Sequence, residues 1–390
     1  MAVAVTYDIL DCGPRNRFVA NGKLVHNSGG DKQNAQNLNR VDPRDPTSGA
    51  LRMSWTAPKG HVIVVRDQGQ IEARQLVYVA GQEDMLDMFR AGGDPYDFMA
   101  GKVYGRKVDR KHVPEDKNPG QVGKIVVLGA GYQMGAWKLQ ENIRVGFMGM
   151  PGFTFGQDYV IQLGVDVEAF CFQKSYKKGF RYAKDEAEAC RPMNVSLMDH
   201  LTHCAVTKFL IDTFRRENGS VVSLWKEAQA ALDLIIAGSK DVQVGARGLV
   251  FTCEEGLVLP NGMKLRYNKL RKTSDGKGYK YLANVRKKEW TNIYGGKVVE
   301  NIVQALARII ISDQLLRVQN NLNGYDRRQG EVFKAVSTTH DEIICIVPER
   351  VANDCLDMMG REMRIPPKWC PDIPLKSSGG FAFRYGECEK

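Results

Sequence analysis

The sequence predicts an α+β fold, because strand-like and helix-like stretches occupy separate parts of the chain. Val62–Val65 is a β-branched run of the kind that forms a buried strand. Residues 332–347 have the pattern of two further strands that meet at His340-Asp341-Glu342. Residues 200–236 and 298–318 instead place apolar side chains at helical spacing, so long helices complete the fold.

The remaining elements follow from the same periodicities and from turn residues. Residues 248–270 alternate around Asn261-Gly262, a pair that is typical of the turn of a β-hairpin. Residues 106–120 form a charged stretch that ends in Asn118-Pro119-Gly120. The other helices predicted along the chain lie at residues 70–90, 95–105 and 121–136.

Composition and charge narrow the possible classes of function. The chain has 390 residues, of which 43% are hydrophobic and 26% charged, as in an ordinary globular protein with a large core. No apolar run approaches the roughly 18 residues of a membrane span, so no membrane partner is expected. The nine cysteines are scattered without a C-x-x-C pair, and a reducing cytoplasm is expected. The net charge of +10 suits a polyanionic partner.

The segment Leu24–Ser28 carries the residue types that rearrangement of a peptide bond needs. The side-chain amide of Asn27 can attack its own main-chain carbonyl and cut the bond that follows. His26 can polarise that carbonyl, and the hydroxyl of Ser28 can receive another chain as a nucleophile. A surface turn explains the same residues when they are taken alone, since Asn and Ser favour turns.

The wider context of this segment resembles the C-terminal end of an intein. The stretches that carry the resemblance are Tyr7–Leu10, Asn16–Gly22 and Leu24–Asn27. Because the chain starts at Met1, residues 1–27 look like the C-terminal half of a split intein, a β-rich segment removed on splicing. The resemblance implies that Ser28 accepts a partner polypeptide while Asn27 cyclises. Asn16 departs from the pattern, because many inteins have His there.

Two acidic residues stand at the ends of apolar strands. Asp67 follows Val62–Val65, and Asp341 interrupts the run from Val336 to Val347. A carboxylate at the edge of a buried strand is costly unless it is paired or binds a cation. Two such carboxylates brought together repel each other, and divalent cations would relieve the repulsion. A pair of solvated turn aspartates is the alternative interpretation of the same two residues.

Three segments extend the pattern around these acids, namely Asp67–Arg74, Lys124–Gly135 and His340–Glu342. They resemble, in this order, the first catalytic motif, the nucleotide-binding fingers helix and the third motif of the DNA polymerase I family, known as family A. The resemblance covers about residues 28–390. It implies an antiparallel palm sheet with helical fingers, and it implies template-directed DNA synthesis.

The resemblance also implies a two-metal site for phosphoryl transfer. Asp67 and Asp341 would bridge two Mg²⁺ ions, with the main-chain carbonyl of Gln68 as a further ligand. Lys124 would meet the triphosphate of the incoming deoxynucleoside triphosphate, although a solvated helix lysine is its simpler interpretation. The other residues expected to contact the nucleotide are Gln70, Glu72, Leu128 and Tyr132.

Primer–template DNA is the expected macromolecular partner. Asn34–Leu38 resembles the template–primer contact segment of the family, and Gln304 stands where a minor-groove glutamine is usual. His340 would touch the primer terminus or orient the neighbouring aspartate. The residues expected at the DNA are Asn34, Gln36, Asn37, Gln304, His340 and Glu342, the last as a supporting acid.

Several positions depart from the family pattern or have a structural role. Gly120 stands one helical turn before Lys124, where the family has an arginine that grips the triphosphate. Lys117 or Arg110 are the candidates to replace that arginine. Leu128 replaces an aromatic residue that contacts the sugar. Arg74 is expected to form a structural ion pair.

The two resemblances together predict how the chain is organised. The expected segments are a split-intein segment at 1–27, a first part of the palm at 28–105, fingers at 106–235 and a second part of the palm at 236–390. The polymerase thumb, with or without an exonuclease, would lie on a second polypeptide that ends in the N-terminal intein half. A phage-infected bacterial cell is the expected setting.

Two other hypotheses remain open from the sequence. One is a nucleic-acid-binding scaffold whose polymerase site has decayed, for which Gly120 is the main support. The other is a relative of single-subunit RNA polymerases, which share the metal-binding aspartates. Glu72 and Tyr132 argue against the second hypothesis, because the family uses them to exclude a 2′-hydroxyl.

Overall fold

Antiparallel sheets and long helices make up the fold, as the sequence predicted. The structure is a computed structural model. It describes residues 17–20, 23–26, 49–146, 150–171, 196–285, 287–339 and 341–388. None of the helices in these ranges is long and apolar enough to cross a membrane.

The described strands are short and fall into four sheets. They are β1 (Arg17–Ala20), β2 (Lys23–His26), β3 (His61–Gln68), β4 (Gln243–Val244), β5 (Val250–Cys253), β6 (Gly256–Val258), β7 (Lys264–Arg266), β8 (Arg271–Lys272), β9 (Tyr279–Asn284), β10 (Glu289–Ile293), β11 (Lys334–Thr339), β12 (Glu342–Pro348) and β13 (Ser377–Ala382). The sheet orders are β1–β2, β4–β5–β6–β7, β10–β9–β8 and β11–β12–β3–β13.

The helices of the described ranges vary from one turn to eight. They are α1 (Ala50–Met53), α2 (Ile71–Ala80), α3 (Glu83–Arg90), α4 (Pro95–Tyr104), α5 (Lys117–Ala130), α6 (Ala136–Val145), α7 (Gln157–Leu163), α8 (Leu197–Glu217), α9 (Gly219–Ile236), α10 (Gly295–Asn323) and α11 (Ala352–Glu362).

The sheet β11–β12–β3–β13, here called the central sheet, has β3 in an interior position and all its pairs antiparallel. Side chains of a strand alternate between its two faces, and both faces of β3 are covered. Val62 and Val64 pack with Ile311 of α10 and with α11. Ile63 and Val65 pack on the other face, in a cluster with Tyr385. Burial on both faces explains why this strand reads as a continuous apolar run.

The helices form a second body of packing beside the central sheet. α5 packs against α4 and α8, and α2 packs against α9 and α10. One apolar cluster joins them, with Ile125, Leu210 and Ile302 almost completely buried. The indole of Trp225 on α9 donates a hydrogen bond of 3.0 Å to the carbonyl of Gly131, which ties the end of α5 to this cluster.

Most of the elements predicted from sequence are confirmed. The strand at Val62–Val65, the two strands that meet at Asp341 and the long helices at 200–236 and 298–318 are all present. The hairpin around Asn261-Gly262 is β6–β7, and Gly262 takes a positive φ of 80° in its turn. Gly can adopt this conformation at little cost because it has no Cβ.

The helix predicted at 121–136 is displaced. α5 begins at Lys117 and ends at Ala130, and the chain then turns before α6 begins at Ala136. Gln133 takes a φ of 68° in this turn, and its side-chain oxygen accepts a hydrogen bond of 2.9 Å from Gly296 N. The tertiary contacts of this glycine-rich segment therefore end the helix earlier than its apolar spacing indicates.

The sequence prediction missed β13 and described residues 1–27 only as β-rich. β13 was missed because Ser377–Ala382 is rich in small residues, yet Gly379 is required there, since a Cβ would lie 2.1 Å from the Val65 carbonyl oxygen. The β1–β2 hairpin, with Arg17 opposite His26, lies in the segment predicted to be β-rich.

Candidate active site

Asp67 lies at the end of the most buried strand of the central sheet. Val62–Val65 are at most 7% exposed, and burial decreases at Arg66 and Asp67, which are half-buried. In the register of the sheet, Asp67 faces Glu342 on β12 and Ser378 on β13. The strand thus carries an acidic residue to the point where the apolar core meets solvent.

Asp341 lies in the tight turn between β11 and β12, where Thr339 pairs with Glu342. Its carbonyl oxygen accepts a hydrogen bond of 2.9 Å from Gln68 N, the residue that follows Asp67. Neighbouring strands of a sheet lie about 5 Å apart. The main chains of Asp67 and Asp341 are therefore adjacent at one end of the central sheet, although 274 residues separate them in sequence.

The donor set at this end of the sheet fits magnesium. Asp67 and Asp341 are oxygen donors, and Mg²⁺ in proteins commonly takes one or two carboxylates together with waters and substrate phosphates. In the described ranges, no group of three or more His, Cys, Asp and Glu side chains is placed to hold a metal ion.

The chain leaves β3 through a short, well-fixed connection to α2. Gly69 N donates to the carbonyl of Lys376 at 2.7 Å, and Gln70 takes a positive φ of 51° before the helix begins. Gln68 is fully buried, whereas Gln70 is half-buried. This connection places the first turn of α2, with Glu72, beside the acidic end of the sheet.

Arg74 holds this connection in a way that corrects the predicted ion pair. Among the described residues, its guanidinium donates to the carbonyl oxygens of Gly69 at 2.8 Å and Pro374 at 2.6 Å. It also lies 4.2 Å from the ring centroid of Phe89. Burial lowers the pKa of Arg74 to about 10. Carbonyl oxygens replace a carboxylate here, one from the turn after β3 and the other from the chain that precedes β13.

Glu72 and Tyr132 meet across the site. The hydroxyl of Tyr132 donates to Glu72 Oε2 at 3.3 Å, so α2 and the turn after α5 are in contact at this point. Burial, and then the nearby Glu72 charge, raises the pKa of Tyr132. Burial also raises the pKa of Glu72, an effect that the Tyr132 hydrogen bond opposes. The pair forms one wall beside the acidic end of the central sheet.

Lys124 lies on α5, half-buried, on a helix held close to α4 by a glycine. A Cβ at Gly123 would be 2.0 Å from the carbonyl oxygen of Tyr96 and 2.9 Å from Ala100 N. Only glycine permits this approach of the two backbones. Leu128 is four residues beyond Lys124 and shares its helix face, whereas Tyr132 lies past the end of the helix.

Gly120 stands one turn before Lys124, and the side chain of Arg110 lies against it. A Cβ at Gly120 would be 2.6 Å from Arg110 Cβ. The Arg110 guanidinium pairs with Asp94 at 2.7 Å and approaches Asp97 at 3.3 Å. A cation from the preceding loop therefore fills the place next to this glycine, but two aspartates already engage it.

Tyr96 is a residue that sequence reasoning missed. It lies in the first turn of α4, and Arg110 sits 4.8 Å from its ring centroid. Burial raises the pKa of Tyr96, and the charges of Asp94 and Asp341 raise it further, while Arg110 lowers it. Tyr96 therefore lies within electrostatic range of Asp341. A lone tyrosine after Asp-Pro carries no sequence signal for this position.

Glu342, which follows Asp341, is buried. It is 1% exposed, and its Oε1 accepts a hydrogen bond of 2.5 Å from the hydroxyl of Tyr385. That hydroxyl also accepts from Arg52 at 2.6 Å. The side chain of Glu342 therefore points into the protein beneath the β11–β12 turn, and its role as a supporting acid at the DNA stays a prediction.

Comparisons with known proteins identify relatives of this chain. No protein-family model matches the chain. It is 27% identical over 338 residues to the DNA polymerase of Bacillus phage SP02, a match that covers 84% of this chain and 42% of that protein. It is 30% identical over 112 residues to DNA polymerase I of Chloroflexus aurantiacus, covering 29% of this chain and 12% of that protein. The chain is a homologue of DNA polymerases.

Two further comparisons describe how far this similarity extends. The thermostable DNA polymerase I of Thermus thermophilus is 29% identical over 111 residues, which are 28% of this chain and 13% of that protein. The POL domain of Pol1 from M. smegmatis, solved in complex with DNA primer-template and dNTP, matches with a TM-score of 0.49 and 14% identity, over 90% of this chain and 44% of that chain. This polymerase homologue spans less than half the length of the phage polymerase.

The remaining predicted residues of this polymerase homologue fall into two groups. Gln304 is exposed on α10, and His26 is the last residue of β2. The others lie outside the residues that the structure describes, namely Asn27, Ser28, Asn34, Gln36, Asn37 and His340.

Proposed function

We propose that this chain forms the palm and fingers of a DNA polymerase and adds deoxynucleotides to a primer as a template directs. The observation that carries the proposal is the adjacency of Asp67 and Asp341 at one end of the central sheet. Homology to phage and bacterial DNA polymerases supports it. In this proposal residues 28–105 and 236–390 form the palm, and residues 106–235 form the fingers.

The acidic end of the central sheet is the proposed metal site. Asp67, Asp341 and the main-chain carbonyl of Gln68 would hold Mg²⁺ through their oxygen atoms, and the two aspartates are half-buried. A pair of bound Mg²⁺ ions activates a primer 3′-hydroxyl and stabilises the charge on the leaving pyrophosphate. The protein contributes by fixing the two carboxylates on a rigid strand pair.

The face of α5 is the proposed site for the triphosphate. Lys124 supplies a positive charge, and Lys117 lies two turns earlier on the same helix and is exposed. Arg110 is engaged with Asp94 and Asp97, so it supports the helix and leaves the phosphates to the two lysines. Charge on the phosphates then develops next to cations that are already in position.

The pair of Glu72 and Tyr132 is the proposed wall for the sugar. Their contact at 3.3 Å closes the space where a 2′-hydroxyl would lie, which favours deoxynucleotides over ribonucleotides. Gln70 and Leu128 complete the nucleotide pocket in this proposal. Primer–template DNA would contact His340, Gln304 and the segment with Asn34, Gln36 and Asn37. These contacts are inferred from the family resemblance.

A separate proposal concerns residues 1–27, which we infer to act in protein splicing in trans. Its support is the sequence order of His26, Asn27 and Ser28, of which His26 ends the second strand of the β1–β2 hairpin. Ser28 would receive the partner polypeptide that carries the thumb, and Asn27 would cyclise. Co-expression with that partner and intact-mass measurement test this proposal. Retention of residues 1–27 without a ligated product would refute it.

The polymerase proposal is tested by the acid pair. Primer extension with Mg²⁺ and four deoxynucleoside triphosphates, by the chain joined to its partner, should be lost in Asp67→Asn and in Asp341→Asn. Asp354→Asn, on the exposed side of α11, is the matched control and should keep activity. Calorimetric binding of Mg²⁺ and dATP to the chain alone gives a second readout. Extension by both site variants at the control rate would refute the metal assignment.

A further inference from the structure

The segment around β7–β10 holds most of the net positive charge of the chain. Residues 264–293 contain ten Lys or Arg and two acidic residues, so they contribute +8 to a total net charge of +10. The strands β8, β9 and β10 of this segment form a three-stranded sheet that is separate from the central sheet. Solubility alone does not require so many positive charges in one segment.

One face of the β10–β9–β8 sheet is attached to the protein body. Lys272 pairs with Asp233 of α9 at 3.0 Å, and the hydroxyl of Tyr279 donates to the same carboxylate at 2.7 Å. Tyr281 packs edge-to-face on Tyr267, with ring centroids 5.3 Å apart. Lys272 and Tyr279 are cross-strand partners, and Tyr281 lies two residues on, so all three share one face.

The opposite face carries cations that a tryptophan holds in place. Arg271 is the cross-strand partner of Lys280, which in turn faces Asn292. The Arg271 guanidinium lies 4.0 Å from the ring centroid of Trp290, and the Lys280 ammonium lies 5.6 Å from it. A cation over an indole ring is attracted by the ring quadrupole. The indole thus orders two cations on neighbouring strands.

The charges on this face are available to an external anion. Among the described residues, neither Arg271 nor Lys280 forms an ion pair with an acidic side chain, whereas Lys272 on the other face does. Trp290 remains 37% exposed, so the face is open to solvent. The turns at its two ends add further exposed lysines, Lys277 in one turn and Lys288 in the other.

We propose that this outer face, made of Arg271, Lys280, Trp290 and Asn292 and called here the basic face, is a second DNA-binding surface that grips the phosphate backbone. The proposal rests on the polymerase function proposed above and adds a surface distinct from the acidic end of the central sheet. The ring of Trp290 is engaged with its own cations, so recognition is by charge rather than by base stacking. Binding would be independent of sequence and strongly dependent on salt.

The proposal is tested by salt-dependent DNA binding. Fluorescence anisotropy of a labelled primer–template in EDTA gives the dissociation constant at several salt concentrations, without any need for metal. The double variant Arg271→Gln, Lys280→Gln keeps the side-chain stems and removes two charges. We expect its slope of log K against log salt to be shallower by about 2, since each phosphate contact contributes about 0.9. Its affinity at low salt should fall roughly 10-fold or more.

A charge-matched control isolates the basic face from net charge. Lys208→Gln, Arg216→Gln removes two exposed cations from α8, a helix that packs against α4–α7 and α9. This control should keep the wild-type slope. Trp290→Phe keeps an aromatic face for the cations and should bind nearly as well as wild type, whereas Trp290→Ala should weaken binding. Circular dichroism checks that each variant is folded.

The outcomes separate this proposal from the proposed polymerase activity. A double variant with the wild-type salt slope, in a protein that extends primers, would overturn the basic face alone. A protein that binds DNA through the basic face but extends no primer would overturn the polymerase proposal alone. Binding of the wild type to phosphatidylglycerol vesicles but not to DNA would assign the basic face to a lipid surface and overturn the present proposal.

Discussion

The two sides of the candidate active site are built in different ways. On one side, the register of β3 and β12 fixes Asp67 and Asp341 at the end of the central sheet. On the other side, a glycine contact between α4 and α5 fixes Lys124. A strand pair positions main chain from distant parts of the sequence through hydrogen bonds, whereas a helix pair depends on the absence of a side chain. The acids and the cation should therefore respond differently to substitution.

The largest effect is expected from the acids of the sheet side. Asp67→Asn or Asp341→Asn keeps the shape of the residue but removes a negative charge from the proposed Mg²⁺ site. We expect primer extension to fall by about 10³-fold or more. Single-turnover extension rates measure the loss, and thermal unfolding should show that the fold is kept. Equal loss of activity and of folding would mean that the acids are structural.

The next largest effect is expected on the helix side, at Gly123. Gly123→Ala introduces a methyl group 2.0 Å from the Tyr96 carbonyl oxygen, so α4 and α5 must separate. We expect the free energy of unfolding to fall by roughly 3 kcal/mol, as measured by urea denaturation. Gly135→Ala is the matched control, since nothing lies within 4 Å of a Cβ at that position. Similar losses in both variants would contradict the role assigned to this contact.

The free energy of unfolding should also depend on pH through a histidine on the helix side. His203 on α8 accepts from Phe155 N at 3.0 Å and lies 3.1 Å from the Gln140 carbonyl oxygen. Burial lowers the pKa of His203 to about 4, below its ordinary value of 6.5. The unfolded chain takes up a proton below pH 6.5 and the folded protein does not until about pH 4. The free energy of unfolding should therefore fall by about 2 kcal/mol from pH 7.5 to pH 5.

This pH effect is checked by urea denaturation at both pH values. His203→Gln should lose that part of the pH dependence, because the amide does not titrate. His112→Gln changes an exposed histidine and should keep it. A fall of the same size in the His203 variant would assign the pH dependence to other groups.

The smallest effect is expected where the two sides meet. Burial raises the pKa of Glu72, so its ionised form is disfavoured in the folded protein above that pKa. The unfavourable contribution should diminish as the pH falls through the folded pKa, because the carboxyl group then becomes neutral. At pH 7.5, Glu72→Gln should therefore raise the free energy of unfolding by a few tenths of a kcal/mol, since the group is partly solvated. A clear loss of stability would contradict this sign.

The sheet side could be predicted from sequence more fully than the helix side. The β-branched run before Asp67 and the strand after Asp341 have strong local patterns, because nearly all of their residues are buried. The end of α5 could not be predicted, because it depends on contacts of Gly131 and Gln133 with α9 and α10. Local spacing contains no information about such distant partners.

The same distinction holds for individual side chains. Glu342 follows Asp341 directly, and only the register of the sheet shows that it points into the protein towards Tyr385. The predicted partner of Arg74 was wrong, because the sequence does not indicate which main-chain carbonyl oxygens will lie near a side chain. Tyr96 was missed because only the tertiary fold brings it within electrostatic range of Asp341.

The contact between Gly120 and Arg110 constrains how this protein can change through evolution. A side chain introduced at Gly120 would overlap Arg110, whose Cβ and Cδ would lie 2.6 and 2.7 Å from the new Cβ. Shortening Arg110 first would leave Asp94 and Asp97 without that cation. Either single replacement is therefore unfavourable, and the two positions are expected to covary among homologues, with a large residue at one accompanied by a small residue at the other.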